Sequence, residues 1–129
     1  MPQRHLKKTI AQWKSSITVG AKRGVIVNVS SGLGSFGLVT NPERIESRLF
    51  NLAYSSSKAA VSMLTMQYAK ALPNLRINIV DPGPTATDLN GNAGYQTVKE
   101  GTDAIVRLAT IGSDGPTGTF SGRAGNVPW

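Results

Sequence analysis

Residues 77–83 run Ile77-Asn78-Ile79-Val80-Asp81-Pro82-Gly83, and this stretch decides the fold. The branched residues from Ile77 to Val80 predict a short buried strand. Asp81-Pro82-Gly83-Pro84 then takes the chain out of the sheet at once, because two prolines remove ladder donors. Working outward, Val25 to Val29 is a second β-branched run. It ends in a loop carrying Ser30, Ser31, Gly32, Gly34, Ser35 and Gly37. Between the two runs the composition turns helical from Leu52 to Leu72, with Val61, Leu64, Tyr68 and Leu72 on one predicted stripe. Pro73-Asn74 stops that helix. Val98 to Thr110 predicts another, with Val98, Ala104, Ile105 and Leu108 as its apolar positions. A last short strand is expected from Thr119-Phe120. Near the start, Leu6, Ile10, Trp13 and Ile17 predict an amphipathic helix over residues 3–17, punctuated by Gly20 and Gly24.

The order is therefore helix, strand, helix, strand, helix, strand. Strands separated by helices imply βαβ units, a parallel sheet and helices on both faces, an α/β fold. With 129 residues, the chain is long enough for one domain with a core but not for two. Three segments are expected as loops. Residues 40–50 form a charged excursion opened by Asn41-Pro42 and expected as a surface loop, with a substrate lid as the other reading. Residues 84–97 form a polar, Gly-rich loop, and Gly112 to Gly118 a turn region.

Composition narrows the function classes. There is no cysteine, which excludes disulfides and thiolate metal sites. His5 is the single histidine, so a multi-histidine metal centre is excluded, and no metal is expected. The apolar runs are too short to span a bilayer, and the opening residues lack the apolar core of a secretory signal, so a cytoplasmic location is expected. Net charge is +7. Arg4, Lys7, Lys8, Lys14, Lys22 and Arg23 all precede the first acidic residue, Glu43. A helix with a solvated basic face is the favoured account. An organelle-targeting segment is a second. A nucleic-acid or membrane contact is a third, and no aromatic interleaving or recognisable motif downstream supports it.

The chemistry concentrates at three places. In Tyr54-Ser55-Ser56-Ser57-Lys58 the phenol and the ammonium are four residues apart, on one helix face. Alone the pair is weak and fits a surface contact equally well. Its context is stronger. One strand ends just upstream in Asn28-Val29-Ser30-Ser31-Gly32, another just downstream in Asp81-Pro82-Gly83, and ligands of parallel sheets sit beyond the carboxyl ends of strands. A hydroxyl, a phenol, an ammonium and an open backbone turn form a coherent set for carbonyl chemistry.

Taken in order, Val-Asn-Val-Ser-Ser-Gly, Tyr-x-x-x-Lys and the strand ending in Asp-Pro-Gly resemble the short-chain dehydrogenases/reductases, over residues 24–129. Asp81 to Leu89 looks like that family's nicotinamide-proximal loop. Gly115-Pro116-Thr117-Gly118-Thr119-Phe120 and Trp129 resemble the tail of its carbonyl-reductase-like members. The resemblance implies a Rossmann-like doubly wound sheet, of which this chain would carry the C-terminal, catalytic half as a single partial domain. It implies an NAD- or NADP-dependent interconversion of a carbonyl and an alcohol. Tyr54 would be the general acid or base. Lys58 would hold the nicotinamide ribose and favour the Tyr54 phenolate. Ser31 would hydrogen-bond the substrate oxygen. Pro82 and Gly83 would line the nicotinamide, Thr85 would offer backbone groups to the carboxamide, and Thr87 a nearby hydroxyl.

The sequence also departs from the family's pattern. The Gly-rich strand–turn–helix that cradles the pyrophosphate is not found, since Gly32, Gly34 and Gly37 belong to the loop with the catalytic serine. Residues 1–23, a divergent basic helix, match poorly, and the family's helix asparagine has no counterpart there. Pro84 stands where relatives often carry a bulkier residue. Asp81 and Asp88 are not expected as acid/base partners. A truncated form of a carbonyl reductase is the first expectation. The alternative is a catalytically inactive module that associates with itself or with an intact relative, because the family's pairing helices both have counterparts here.

Overall fold

The computed structural model describes residues 23–129. The helix expected over residues 3–17, with His5 and Trp13, lies outside them. The described elements are β1 (Gly24–Val29), α1 (Phe36–Val39), α2 (Leu52–Ala71), β2 (Leu75–Val80), α3 (Val98–Ala109), β3 (Phe120–Gly122) and β4 (Gly125–Asn126). Single 3-10 turns fall at Gly32–Gly34, Ile45–Arg48 and Asp88–Asn90.

The sheet order among these residues is β1-β2-β3-β4. β1 runs parallel to β2 with Val29 opposite Val80, and β2 runs parallel to β3 with Val80 opposite Ser121. This is the doubly wound arrangement expected from the strand–helix–strand order. Side-chain alternation along β2 sorts the helices to opposite faces. Leu75 and Ile77 pack with Ala69 and Leu72 at the end of α2, joined by Ile26. Val80 packs with Ala104 and Leu108 of α3, joined by Val27. Ile77, Ile79 and Val80 are fully buried, each contributing about 1.5–3 kcal/mol of apolar burial. Asn78 is also fully buried. Its amide donates to the Pro116 carbonyl (2.8 Å), and its Oδ1 accepts from Thr119 N (3.0 Å) and Oγ1 (2.8 Å), which fixes the approach to β3.

Of the stripe expected for α2, Leu72 is buried and Tyr68 packs against the same cluster, but Leu64 is 52% exposed, and within the helix the buried residues are Ser62, Thr65 and Ala69. The reason is polar. The Asn28 side chain donates to Thr65 Oγ1 (2.8 Å), and Ser30 Oγ lies 3.3 Å from Ser62 Oγ, so hydroxyls are favoured on the face that meets β1. In α3 the buried positions are Gly101, Ala104 and Leu108, and Val98, expected among its apolar positions, is exposed. The short antiparallel pairing of β4 with β3 was not expected; it adds a two-residue strand after the turn at Arg123 and Ala124.

Candidate active site

β1 and β2 end side by side, and the loops leaving them form one cleft of about 230 Å³. Ser31, Tyr54, Pro82 and Gly83 all line it, together with Asp81 and Pro84. Ser31 caps the first 3-10 turn, its Oγ accepting from Leu33 N at 3.2 Å. Tyr54 occupies the first turn of α2, where Asn51 Oδ1 accepts the Tyr54 backbone N–H at 3.2 Å and caps the helix. The phenol side chain is 42% exposed, toward the cleft rather than the core. One turn on, the Lys58 ammonium lies 5.6 Å from the Tyr54 ring centroid and donates to the Val29 carbonyl at 3.2 Å.

The sequence locks these groups to the sheet. Ser30 Oγ donates to the Lys58 carbonyl (3.0 Å), and Asn28 reaches Thr65, so β1 and α2 are pinned at two levels. Gly34 lets the serine loop touch the helix: a Cβ there would lie 2.7 Å from the Lys58 carbonyl carbon. Residues 128–129 brace the same loop, with Ser35 Oγ donating to the Pro128 carbonyl and Gly37 N to the Trp129 carbonyl (2.7 Å).

On the opposite wall, Asp81 Oδ1 accepts from Gly83 N (2.9 Å) and so shapes the turn around Pro82. Gly83 holds φ of +73°, a conformation that glycine adopts without strain. Gln96, buried at the end of the Gly-rich loop, donates to the Pro82 carbonyl and to Thr85 Oγ1 (3.1 Å). Thr85 Oγ1 in turn donates to the Gly83 carbonyl (3.2 Å). Thr85 and Thr87 thus lie along the loop beyond the cleft lining, and Thr87 N donates to Asn90 Oδ1 (3.1 Å).

Three contributors were not singled out from sequence. Gln96 carries no motif, and only its burial reveals it. Asp81, not expected as an acid/base partner, builds the turn. The segment over 40–50, favoured as a surface loop, supplies a wall of the cleft through Ile45, Glu46 and Leu49. It gains that position because Gly32 leaves room for Glu46; a Cβ on Gly32 would sit 3.0 Å from Glu46 Oε1.

Doubly wound α/β sheets bind small molecules in the crevice beyond the carboxyl ends of their strands, and the cleft of this chain lies there. The sequence profile of the short chain dehydrogenases matches residues 8–97, and the chain belongs to that family. It is 46% identical over 68 residues to a (+)-neomenthol dehydrogenase of Capsicum annuum, covering 53% of this chain and 22% of that protein. The solved structure of salutaridine reductase from Papaver somniferum superposes with a TM-score of 0.70 at 28% identity, covering 88% of this chain and 50% of that one. NADPH-bound carbonyl reductase from chicken fatty liver superposes with a TM-score of 0.65 at 25% identity, covering 81% and 42% respectively. The chain thus spans half or less of the length of each of these relatives. Among the described residues, no helix is long and apolar enough to cross a membrane.

Proposed function

We propose that this chain supplies the catalytic face of a nicotinamide-dependent oxidoreductase that interconverts a carbonyl and an alcohol, with Tyr54 as general acid and base. The convergence of Ser31, Tyr54 and the Pro82-Gly83 turn on one cleft, with Lys58 beside the Tyr54 ring, carries this reading.

The residues fit a nicotinamide nucleotide. Of the three ammonium hydrogens of Lys58, one goes to Val29, leaving donors for ribose hydroxyls. The Pro82-Gly83 turn would flank the ring, Thr85 would offer backbone groups to the carboxamide, and Thr87 a nearby hydroxyl. When bound, the nicotinamide supplies the hydride for reduction and accepts it in oxidation. In reduction, Ser31 Oγ, whose lone pair already takes Leu33 N, turns its hydrogen to the substrate oxygen. Tyr54 would give its phenolic proton to that oxygen, so that the reduced product is the alcohol. Lys58 stabilises the charge left on the phenolate oxygen. Oxidation reverses each step. Whether the nicotinamide is NAD or NADP is part of what the test reads.

The experiment is steady-state reduction of a ketone and aldehyde panel with NADH and with NADPH, the chain being supplied with the N-terminal half of a short-chain dehydrogenase. Turnover that requires Tyr54 supports the proposal; no turnover on any carbonyl overturns it.

A second reading, the association module, has one observation in its favour. An apolar groove of about 240 Å³ runs beside the start of α2, lined by Leu33, Phe36, Val39, Leu49, Phe50 and Leu52. Phe50 is 91% exposed and Leu52 71%.

A further inference from the structure

The polar groups of the Pro82-Gly83 turn are met from within the protein. Pro82 has no backbone N–H. Its carbonyl accepts from Gln96 Nε2, Gly83 N donates to Asp81 Oδ1 (2.9 Å), and the Gly83 carbonyl accepts from Thr85 Oγ1 (3.2 Å). One side chain spans this set. The two hydrogens of Gln96 Nε2 go to the Pro82 carbonyl and to Thr85 Oγ1 (3.1 Å), the hydroxyl that holds Gly83. Gln96 also packs directly on the turn: a Cβ on Gly83 would lie 2.8 Å from Gln96 Nε2.

The surrounding backbone fixes Gln96 in turn. Its carbonyl accepts from Ala86 N (2.8 Å), and Tyr95 N donates to the Pro84 carbonyl (3.1 Å). The next residue, Thr97, caps α3, its side chain accepting from Glu100 N (3.3 Å). In the first turn of α3, a Cβ on Gly101 would collide with Thr85 Oγ1. Helix start, loop neck and turn therefore meet at one buried amide side chain. Without its donors, the Pro82 carbonyl and the Thr85 hydroxyl would each lose a partner, and the turn would gain freedom.

We propose that Gln96 is a positioning residue for the nicotinamide: its two donated hydrogen bonds preset the Pro82-Gly83 turn as the wall against which the ring lies. This inference rests on the nicotinamide reading above. Gln96 acts through the turn, so its loss falls on the ring and not on the ribose. A ring that meets a preset wall binds without the cost of ordering it.

The test uses the whole chain and two probes, reduced nicotinamide mononucleotide and ribose 5-phosphate, each followed by amide chemical-shift titration. The mononucleotide should bind more tightly, because only it carries the ring. Gln96→Met keeps the side-chain length and removes both donated hydrogens. It should weaken the mononucleotide about tenfold, the scale of one hydrogen bond, and leave ribose 5-phosphate unchanged. Hydrogen exchange at the Gly83 amide should rise about tenfold relative to that at Ile79 in the core. Gln96→Glu, which exchanges the donated hydrogens for lone pairs at constant size, should do the same and serves where methionine unsettles the loop. The inference is overturned if the variants weaken both probes alike, as general loosening would, or if Gly83 exchange does not respond. A wild-type preference for the mononucleotide that both variants keep overturns this inference alone. No wild-type preference over ribose 5-phosphate overturns the nicotinamide reading and this inference with it.

Discussion

The Lys58 ammonium lies 5.6 Å from the centroid of the Tyr54 ring and is anchored at 3.2 Å on the Val29 carbonyl, at the end of the neighbouring strand. The cation is therefore positioned by the sheet, not only by the helix that carries it. Under the proposed function, in which one group serves ribose and phenolate, Lys58→Met should weaken nicotinamide binding and lower turnover together. The expected loss in kcat is about 10²-fold or more. Cofactor titration and steady-state kinetics on the same sample check both effects. A loss confined to folding, with normal kinetics in the folded fraction, would reduce Lys58 to a structural contact.

Asn28 and Thr65 couple β1 to α2 through a 2.8 Å hydrogen bond at a fully buried threonine. Asn28→Ala should cost about 1–3 kcal/mol of stability, since Thr65 Oγ1 loses its donor inside the protein. A double-mutant cycle with Thr65→Val, read by denaturant unfolding, should return a coupling energy of about 1 kcal/mol. Strict additivity would show that the bond contributes nothing net.

Glu100 closes a capping box at the start of α3 and pairs with Arg123 at 2.9 Å. Its carboxyl is held below the ordinary carboxylate range, first by the Thr97 backbone N–H, then by the Thr97 hydroxyl and by Arg123. The folded state therefore releases this proton more readily than the unfolded state. The resulting stability is full above the unfolded pKa and is lost as pH falls through the lower folded value. Glu100→Gln should unfold at lower temperature than wild type near neutral pH, and the two melting curves should converge in acid. A difference that persists unchanged at about pH 3 would contradict the assignment.

The exposed apolar residues around the start of α2 predict association. Phe36, Phe50 and Leu52 are each more than two-thirds exposed, beside the groove they help to form. Sedimentation of the purified chain should show dimers or larger species, and Phe50→Asp with Leu52→Asp should shift them toward monomer. A monomer at all concentrations would remove the association reading.

Much of this architecture is legible in the sequence because local chemistry and fold agree. Ile77, Ile79 and Val80 are apolar, and their strand is buried on both faces. Asp81-Pro82-Gly83 marks the strand end and, through the Asp81 carboxylate, builds the turn as well. Hydrophobic spacing placed Tyr68 and Leu72 at the core but missed the middle of the buried face of α2. Asn28 and Ser30, far away in sequence, reward the hydroxyls of Thr65 and Ser62 over the side chain of Leu64. Gln96 and Glu46 escaped for a related reason. Each is a polar residue in a loop, and each becomes significant only when folding brings it against the Pro82-Gly83 turn or the Gly32 loop. Ser31, Tyr54, Pro82 and Gly83 were identifiable because they recur as a recognisable set, and the structure brings those four to one cleft.

The proposed chemistry depends most directly on the Tyr54 phenol. The Tyr54→Phe variant keeps the ring on the first turn of α2 and removes only the phenolic proton, so folding and nicotinamide affinity should hold. Turnover of ketones and aldehydes by the chain, supplied with a nucleotide-binding half, should fall by at least 10²-fold, the lower end of what general acid–base catalysis contributes, roughly 10²–10⁴-fold. Near-normal turnover with unchanged cofactor affinity would contradict the account and leave Tyr54 and Lys58 as a contact on a helix surface.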